Sequence, residues 1–414
     1  MSVAPPRLSY GEPRHAWLDW LRCISILMVL GTHFMVDWRQ AGLFMPIAGA
    51  AMRIGWSGVD FFFAISGFLI GNLLLGEIMR YGELDSWRFY IRRAAKIWPL
   101  YYLACLLYVV TGLLLAGDSM TAMLHAIAPT LLHLQNYLGT APGMGHFWSL
   151  AVEEHFYLLL PIVLILLLQM PGVEQFRWRL LLLCIAAIIT VMLVRIGYVL
   201  VTGSTAREMR FLTHFRIDAL FCGVLLATLY RFWPHCWRRL SNARVLLVAA
   251  AAIGIMTFAF DPNTSIFVAT LGYTSIQLLF CAAIIFCSRL EGWQPSSALK
   301  TPLLLMAFVG RHSYPIYLLH PFFWEYGSKA LLPLFEGQGF VARSALWLAG
   351  FAIFVTVSIG VGVFVGELVE RPLLALRNRT CPPRSVALER PSPAGDWIAD
   401  KAMSPVYGRP ATGP

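Results

Sequence analysis

Apolar runs of about twenty residues recur along this chain, each closed off by a short arginine-rich segment, and that recurrence leaves few folds open. In hydrocarbon the backbone must satisfy its own amides, so only helices and closed barrels cross a bilayer. At ~1.5 Å per residue, about twenty residues span the roughly 30 Å hydrocarbon core. Ten such runs are read, at 17–36, 59–79, 97–116, 150–168, 179–201, 211–230, 245–260, 264–287, 303–322 and 346–366. Only 13% of residues are charged, where a soluble chain carries roughly a quarter. The expected fold is an all-α polytopic membrane protein, a bundle of about ten transmembrane helices. Residues 121–138 form a weaker amphipathic stretch suited to the membrane surface.

The net charge of +10 is not gathered into one patch, which argues against nucleic acid as a partner. It is spread as short clusters between the runs, and this is a topology signal. With the N-terminus in the cytoplasm, twenty-two Lys and Arg fall on inner segments and six on outer ones. Four more (Arg22, Arg195, Arg216 and Arg311) fall within runs. Both termini are therefore expected inside. The chain divides into a cytoplasmic segment 1–15, a transmembrane domain 16–372, and a Pro-, Arg- and Ser-rich tail 373–414 that reads as disordered. The first run is too long for a cleavable signal peptide. Most of the eight cysteines lie inside apolar runs without a C-x-x-C pair, so they read as buried hydrophobes. No H-E-x-x-H or comparable spacing points to a metal.

Ionisable residues inside a bilayer are costly and mark function by default. Arg22 and His33 share the first run; eleven residues, near three turns, put them on almost one face about 16 Å apart. His33 falls near the outer end. The fourth run opens with GHFWSLAVEEHFYLLLP, where Ser149 and Glu153 share a face and Glu154 stands beside them, at the level expected of His33. Asp60, Arg216, Asp218 and His320 also fall toward the outer side. On the inner side, FYIRRAAKIWPLYY brings Arg92, Arg93 and Lys96 to the entry of the third run, a cluster suited to phosphate groups. Arg311 and Ser313 enter the ninth run from the same side. One layer can thus move protons while another holds an anion. Buried charges at two depths also suit a proton-coupled transporter or exporter, but such carriers are usually built from inverted repeats, and no internal repeat is evident here.

Seven blocks carry a resemblance: AWLDWLRCISILMVLGTHF, GVDFFFAISGFLIGNLLL, RRAAKIWPLYYL, HFWSLAVEEHFYLLLP, FRIDALFCGVLL, VGRHSYPIYLLHP and ELVERPL. In this order, over about residues 15–375, they resemble the acyltransferase-3 family of integral-membrane O-acyltransferases. The resemblance implies transfer of an acyl group, most often acetyl from acetyl-CoA, to a hydroxyl of a carbohydrate or lipid-linked acceptor at a bacterial inner membrane. Acyl-CoA would be a co-substrate, with no tightly bound cofactor. The family's essential histidine falls on His33, its basic partner on Arg22, its acidic pair on Glu153 and Glu154, and its donor-side motif on Arg92, Arg93 and Lys96. Lys96 stands where Arg is usual, His155 where Gln is usual and Trp20 where Gly is usual. No hydrolase-like domain follows the last run, so a stand-alone transferase is expected.

Acyl transfer from a thioester needs an activated hydroxyl and a stabilised oxyanion. The expected assignment makes His33 the general base, with Glu153 or Glu154 orienting it and Ser149 nearby. Arg22, Arg92, Arg93 and Lys96 hold the CoA. Asp60, Trp148, Arg216, Asp218 and His320 line the acceptor side.

Overall fold

The computed structural model describes residues 16–384 apart from 35–37, 117–118, 142, 205–208 and 262. The expected N-terminal segment and most of the expected tail lie outside these residues. Within them all regular structure is helical, without a strand. In chain order the α-helices are α1 (Ala16–His33), α2 (Met45–Gly55), α3 (Gly58–Tyr81), α4 (Ser86–Thr111), α5 (Met120–Leu131) and α6 (Gln135–Leu138). Then come α7 (Trp148–Gln169), α8 (Val173–Thr202), α9 (Asp218–Phe232), α10 (Pro234–Asn242) and α11 (Arg244–Met256). The last are α12 (Tyr273–Cys287), α13 (Ser297–Arg311), α14 (Ser313–Leu331), α15 (Phe340–Val365) and α16 (Arg371–Thr380).

Among the described residues six helices are long and apolar enough to cross a membrane: Gly58–Tyr81, Ser86–Leu114, Gly145–Gln169, Gln175–Thr202, Val268–Leu290 and Phe340–Thr380. A seventh crossing results if α10 and its successor, bent by 73°, are taken as one. This makes a multi-pass membrane protein, with fewer full-length apolar helices than the ten expected. The reasons are local. The first run is an 18-residue helix bearing Asp19, Arg22 and His33. The sixth is helical only from Asp218, for 15 residues. The seventh is the 13-residue α11. The ninth is broken at His312, whose Nδ1 lies 2.9 Å from the Phe308 carbonyl and closes the end of α13. Pro315 follows in the first turn of α14, where its missing N–H costs nothing.

Burial sorts the helices into layers. In the apolar stretch of α3, 78% of residues are buried, against 22% in Gln175–Thr202 and in Phe340–Thr380. So α3 is the axis of the bundle and the latter two are its rim. Two glycines let α9 lie directly on α3: a Cβ on Gly67 would strike the Leu220 carbonyl, and one on Gly223 would strike the Ala64 carbonyl. Such small-residue contacts replace the hydrophobic drive that lipid cannot supply. Gly310 does the same for α13 against the Asp19 backbone of α1.

At the N-terminal end of α4, Asp85 caps the helix, accepting from the Arg88 amide at 3.0 Å. The expectation of irregular chain from 373 fails over the residues described. There α16 lies against α4, with Arg92 donating to the Cys381 carbonyl at 2.6 Å, and Arg384 bridges to Glu77 at 3.1 Å.

Candidate functional site

A cleft of about 780 Å³, counting its open mouth, runs between α1, α3, α4, α7, α13 and α14. Four cations line it: Arg22, Arg93, Lys96 and Arg311. They converge because Arg93 and Lys96 lie three apart on α4, while Arg311 is released at the helix break. Two carboxylates, Glu153 and Glu370, line the same space. The charged lining residues are thus mainly cationic, with Asp19 a further carboxylate 4.0 Å from Arg22. Such a wall calls for an anionic ligand.

Glu153 is held in place from its own helix. Tyr157, one turn on, donates to its Oε2 at 3.0 Å, and Ser66 Oγ lies 2.6 Å from the Tyr157 oxygen. The Arg93 guanidinium sits 4.6 Å from the centre of the Tyr157 ring, and its Nε is buried without a hydrogen-bond partner. Glu153 therefore lines the same cleft as Arg93 and Arg22. Glu154 turns the other way, accepting from the Trp98 indole at 3.3 Å, and does not line the cleft. Arg92 also departs from its expected place: it donates to Asn378 and Cys381 of the C-terminal segment.

The upper end of the cleft closes on two hydroxyls. Tyr317 donates to the His146 carbonyl at 2.8 Å, and Ser149 Oγ lies 2.6 Å from the Tyr317 oxygen. Both residues line the cleft. On its far side the Tyr317 ring meets His146 at 5.7 Å and His320 at 5.6 Å. The His320 ring in turn lies 4.8 Å from His33 and 5.5 Å from His146. So Tyr317 is the partition between a cationic chamber and a group of three imidazoles. His33 Nδ1 lies 2.8 Å from the Val29 carbonyl. A carbonyl only accepts, so this nitrogen carries a proton, and in the neutral imidazole Nε2 then keeps its lone pair. His320 is held the same way by the Tyr317 carbonyl at 2.7 Å, and its Nε2 is buried with no partner.

The other expected acceptor-side residues form a closed ionic layer. Arg216 pairs with Asp60, not with Asp218, and its guanidinium lies over Tyr273 at 3.9 Å and Trp148 at 5.3 Å. Asp218 pairs with Arg195 at 2.8 Å. All four charged groups are buried, and Trp148 is walled by Phe63 and Phe211. None of Asp60, Trp148, Arg216 and Asp218 lines the cleft. Among the described residues no group of three His, Cys, Asp or Glu could hold a metal ion.

Tyr317, Tyr157 and His146 were not singled out by the sequence. Tyr317 had a readable signal: it stands three residues before His320, on the same helix face.

Residues 15–365 match the acyltransferase-3 family, described as an acyltransferase domain. The chain is 27% identical over 285 residues to the O-acetyltransferase OatA of Staphylococcus aureus strain NCTC 8325 / PS 47, covering 62% of this chain and 44% of that one. The same figures hold for OatA of Staphylococcus aureus strain COL. The chain thus spans less than half the length of these curated relatives. No solved structure matches it. With residues 15–365 of its 414 matched, this chain belongs to the acyltransferase-3 family.

Proposed function

We propose that this protein transfers an acyl group, acetyl in the first instance, from cytoplasmic acyl-CoA to a hydroxyl of a carbohydrate or lipid-linked acceptor near the outer face of a bacterial inner membrane. One observation carries this reading: a cleft lined by four cations and two carboxylates ends at two hydroxyls, and His33, tied through Nδ1 to the Val29 carbonyl, belongs to the group just beyond them. The O-acetyltransferase names of the relatives support acetyl as the group moved. The Lys and Arg distribution supports an inner location for the cationic mouth.

In this reading Arg93, Lys96 and Arg311 grip the CoA phosphates, and Arg22 lies along the path of the pantetheine arm. The thioester carbonyl arrives at Ser149 and Tyr317. The acceptor oxygen attacks the carbonyl carbon as its proton passes to His33 Nε2. The negative charge that develops on the carbonyl oxygen is met by the Tyr317 and Ser149 hydroxyls, which turn from the His146 carbonyl; preorganised donors of this kind stabilise acyl-transfer intermediates. Collapse breaks the C–S bond, and the CoA thiolate takes the proton back from His33. Glu153, fixed by Tyr157, balances Arg22 and Arg93 and leaves room for phosphate. The Asp60–Arg216 and Arg195–Asp218 pairs act as scaffold behind the histidines.

The test is incubation of the purified protein with radiolabelled acetyl-CoA and a panel of glycans. Label on a glycan hydroxyl supports the reading. Label that never leaves CoA, or movement of glycan across a proteoliposome without modification, sinks it in favour of a carrier.

A further inference from the structure

The block ELVERPL carries part of the family resemblance but has no part in the chemistry above. It follows α15 as one wide turn, Gly366–Glu370, inside the long apolar helix Phe340–Thr380. The Arg371 amide closes this turn on the Gly366 carbonyl, five residues back. Pro372 comes next and has no N–H with which to resume the regular ladder. Wide turns of this kind are rare, and they are frequent at functional sites. This one is clasped to the helix break at His312. Gly366 lies against the break, where a Cβ would come within 3.0 Å of His312 Cδ2 and 3.2 Å of Pro315 Cγ. Glu367 Oε1 meets His312 Nε2 at 3.1 Å, and its other oxygen accepts from Arg371 at 2.6 Å. Glu370, at the end of the turn, lines the cleft.

Glu370 shares that lining with Arg93, Lys96 and Arg311. Tyr314 locates it further. The Tyr314 hydroxyl donates to the carbonyl of Ile97, the residue after Lys96, at 2.7 Å, and Glu370 is near enough to act on Tyr314 electrostatically. The two carboxylates of the cleft therefore differ in their setting. Glu153 belongs to α7 and is engaged by Tyr157 at 3.0 Å. Glu370 stands on the C-terminal element, among the cations assigned to phosphate. A carboxylate in that position offsets the cations while the cleft is empty and repels any phosphate that enters. Without it, a wall of four cations would grip a multiply charged anion more tightly. An acyl donor and its spent thiol carry the same phosphates, so a tight grip on one is a tight grip on the other. Release of product limits turnover in many enzymes, and a like charge at the wall works against that limit.

We infer that Glu370 sets the affinity of the donor site: it is a like charge among the cations that weakens the hold on the phosphates and lets the spent thiol leave. The inference rests on the proposed use of acyl-CoA. It is tested by calorimetry on the full chain in detergent with three probes: CoA, inorganic pyrophosphate, and pantetheine, which has no phosphate. Glu370→Gln should bind CoA and pyrophosphate about 10-fold more tightly than wild type, the effect of one like charge removed from a partly buried site. Pantetheine should show no such gain. Glu370→Asp keeps the charge and should bind all three as wild type does. In turnover, Glu370→Gln should lower KM for acetyl-CoA and kcat together, as release becomes limiting. Should Glu370→Gln bind both anions no more tightly than wild type, the inference is overturned. Weaker binding with a lowered melting temperature would also overturn it, and would make Glu370 a clasp for the C-terminal helix. Tighter pyrophosphate binding in a protein that never takes CoA would leave the role of Glu370 standing and remove the acyl-CoA reading instead.

Discussion

The cleft and the ionic layer behind it are built from the same residue types and are opposite in character. In the layer, Arg216 meets Asp60 and Arg195 meets Asp218, each cation with one anion and all four buried. In the cleft, four cations face two carboxylates across open space. A buried charge with its own partner is a structural device, weak as evidence of stabilisation but costly to break. Charge left over at the wall of a cavity is held for a ligand. The distinction separates residues that the chain's charge pattern alone had put in one group.

Five substitutions would sharpen or break this contrast. His33→Ala should lower turnover by about 10³-fold, within the range for loss of a general base, while CoA binding by calorimetry stays as in wild type; retained turnover would remove His33 from the chemistry. Asp60→Asn leaves Arg216 buried without its anion and should cost about 3–5 kcal/mol of stability, read as a lowered melting temperature in detergent. Melting as wild type would mean the layer is not the scaffold described. Tyr317→Phe removes one donor from the junction and should lower kcat by about 10²-fold at unchanged KM for acyl-CoA; a raised KM with normal kcat would make it a binding residue instead. The smallest effect compares neighbours. Arg93→Gln should weaken CoA binding by about 10-fold, the loss of a charge-assisted hydrogen bond, and Arg92→Gln should leave it unchanged. Equal losses would erase the difference between a cleft cation and one that fastens the C-terminal helix.

Much of the site was legible because charge inside apolar sequence is conspicuous. Arg22, Arg93, Lys96, Ser149, Glu153 and His33 fall where the cleft and the histidine group are. The pairings were not legible: Asp60 and Arg216 are 156 residues apart, and no spacing rule links them. Arg216 and Asp218, two residues apart in FRIDAL, look like natural partners, yet Arg216 turns to Asp60 and Asp218 to Arg195. Tyr157 was hidden by composition, since a tyrosine in a membrane helix reads as packing or interface, and Tyr317 was readable only through its three-residue spacing from His320. Their roles come from hydroxyls 3.0 Å from a carboxylate and 2.6 Å from a serine. The break in the ninth run could have been read from Pro315, two residues after Ser313 in RHSYP. The apparent continuity of apolar residues across it concealed the signal.

His312 separates Arg311, the last residue of one short helix, from the helix whose second turn carries Tyr317. A rod running straight through this point would set both groups rigidly along one axis. Two short rods meeting at a single residue give each its own tilt while keeping the joint common. In the proposed transfer, an anion drawn to Arg311 and a carbonyl held at Tyr317 would meet helices that share this one joint.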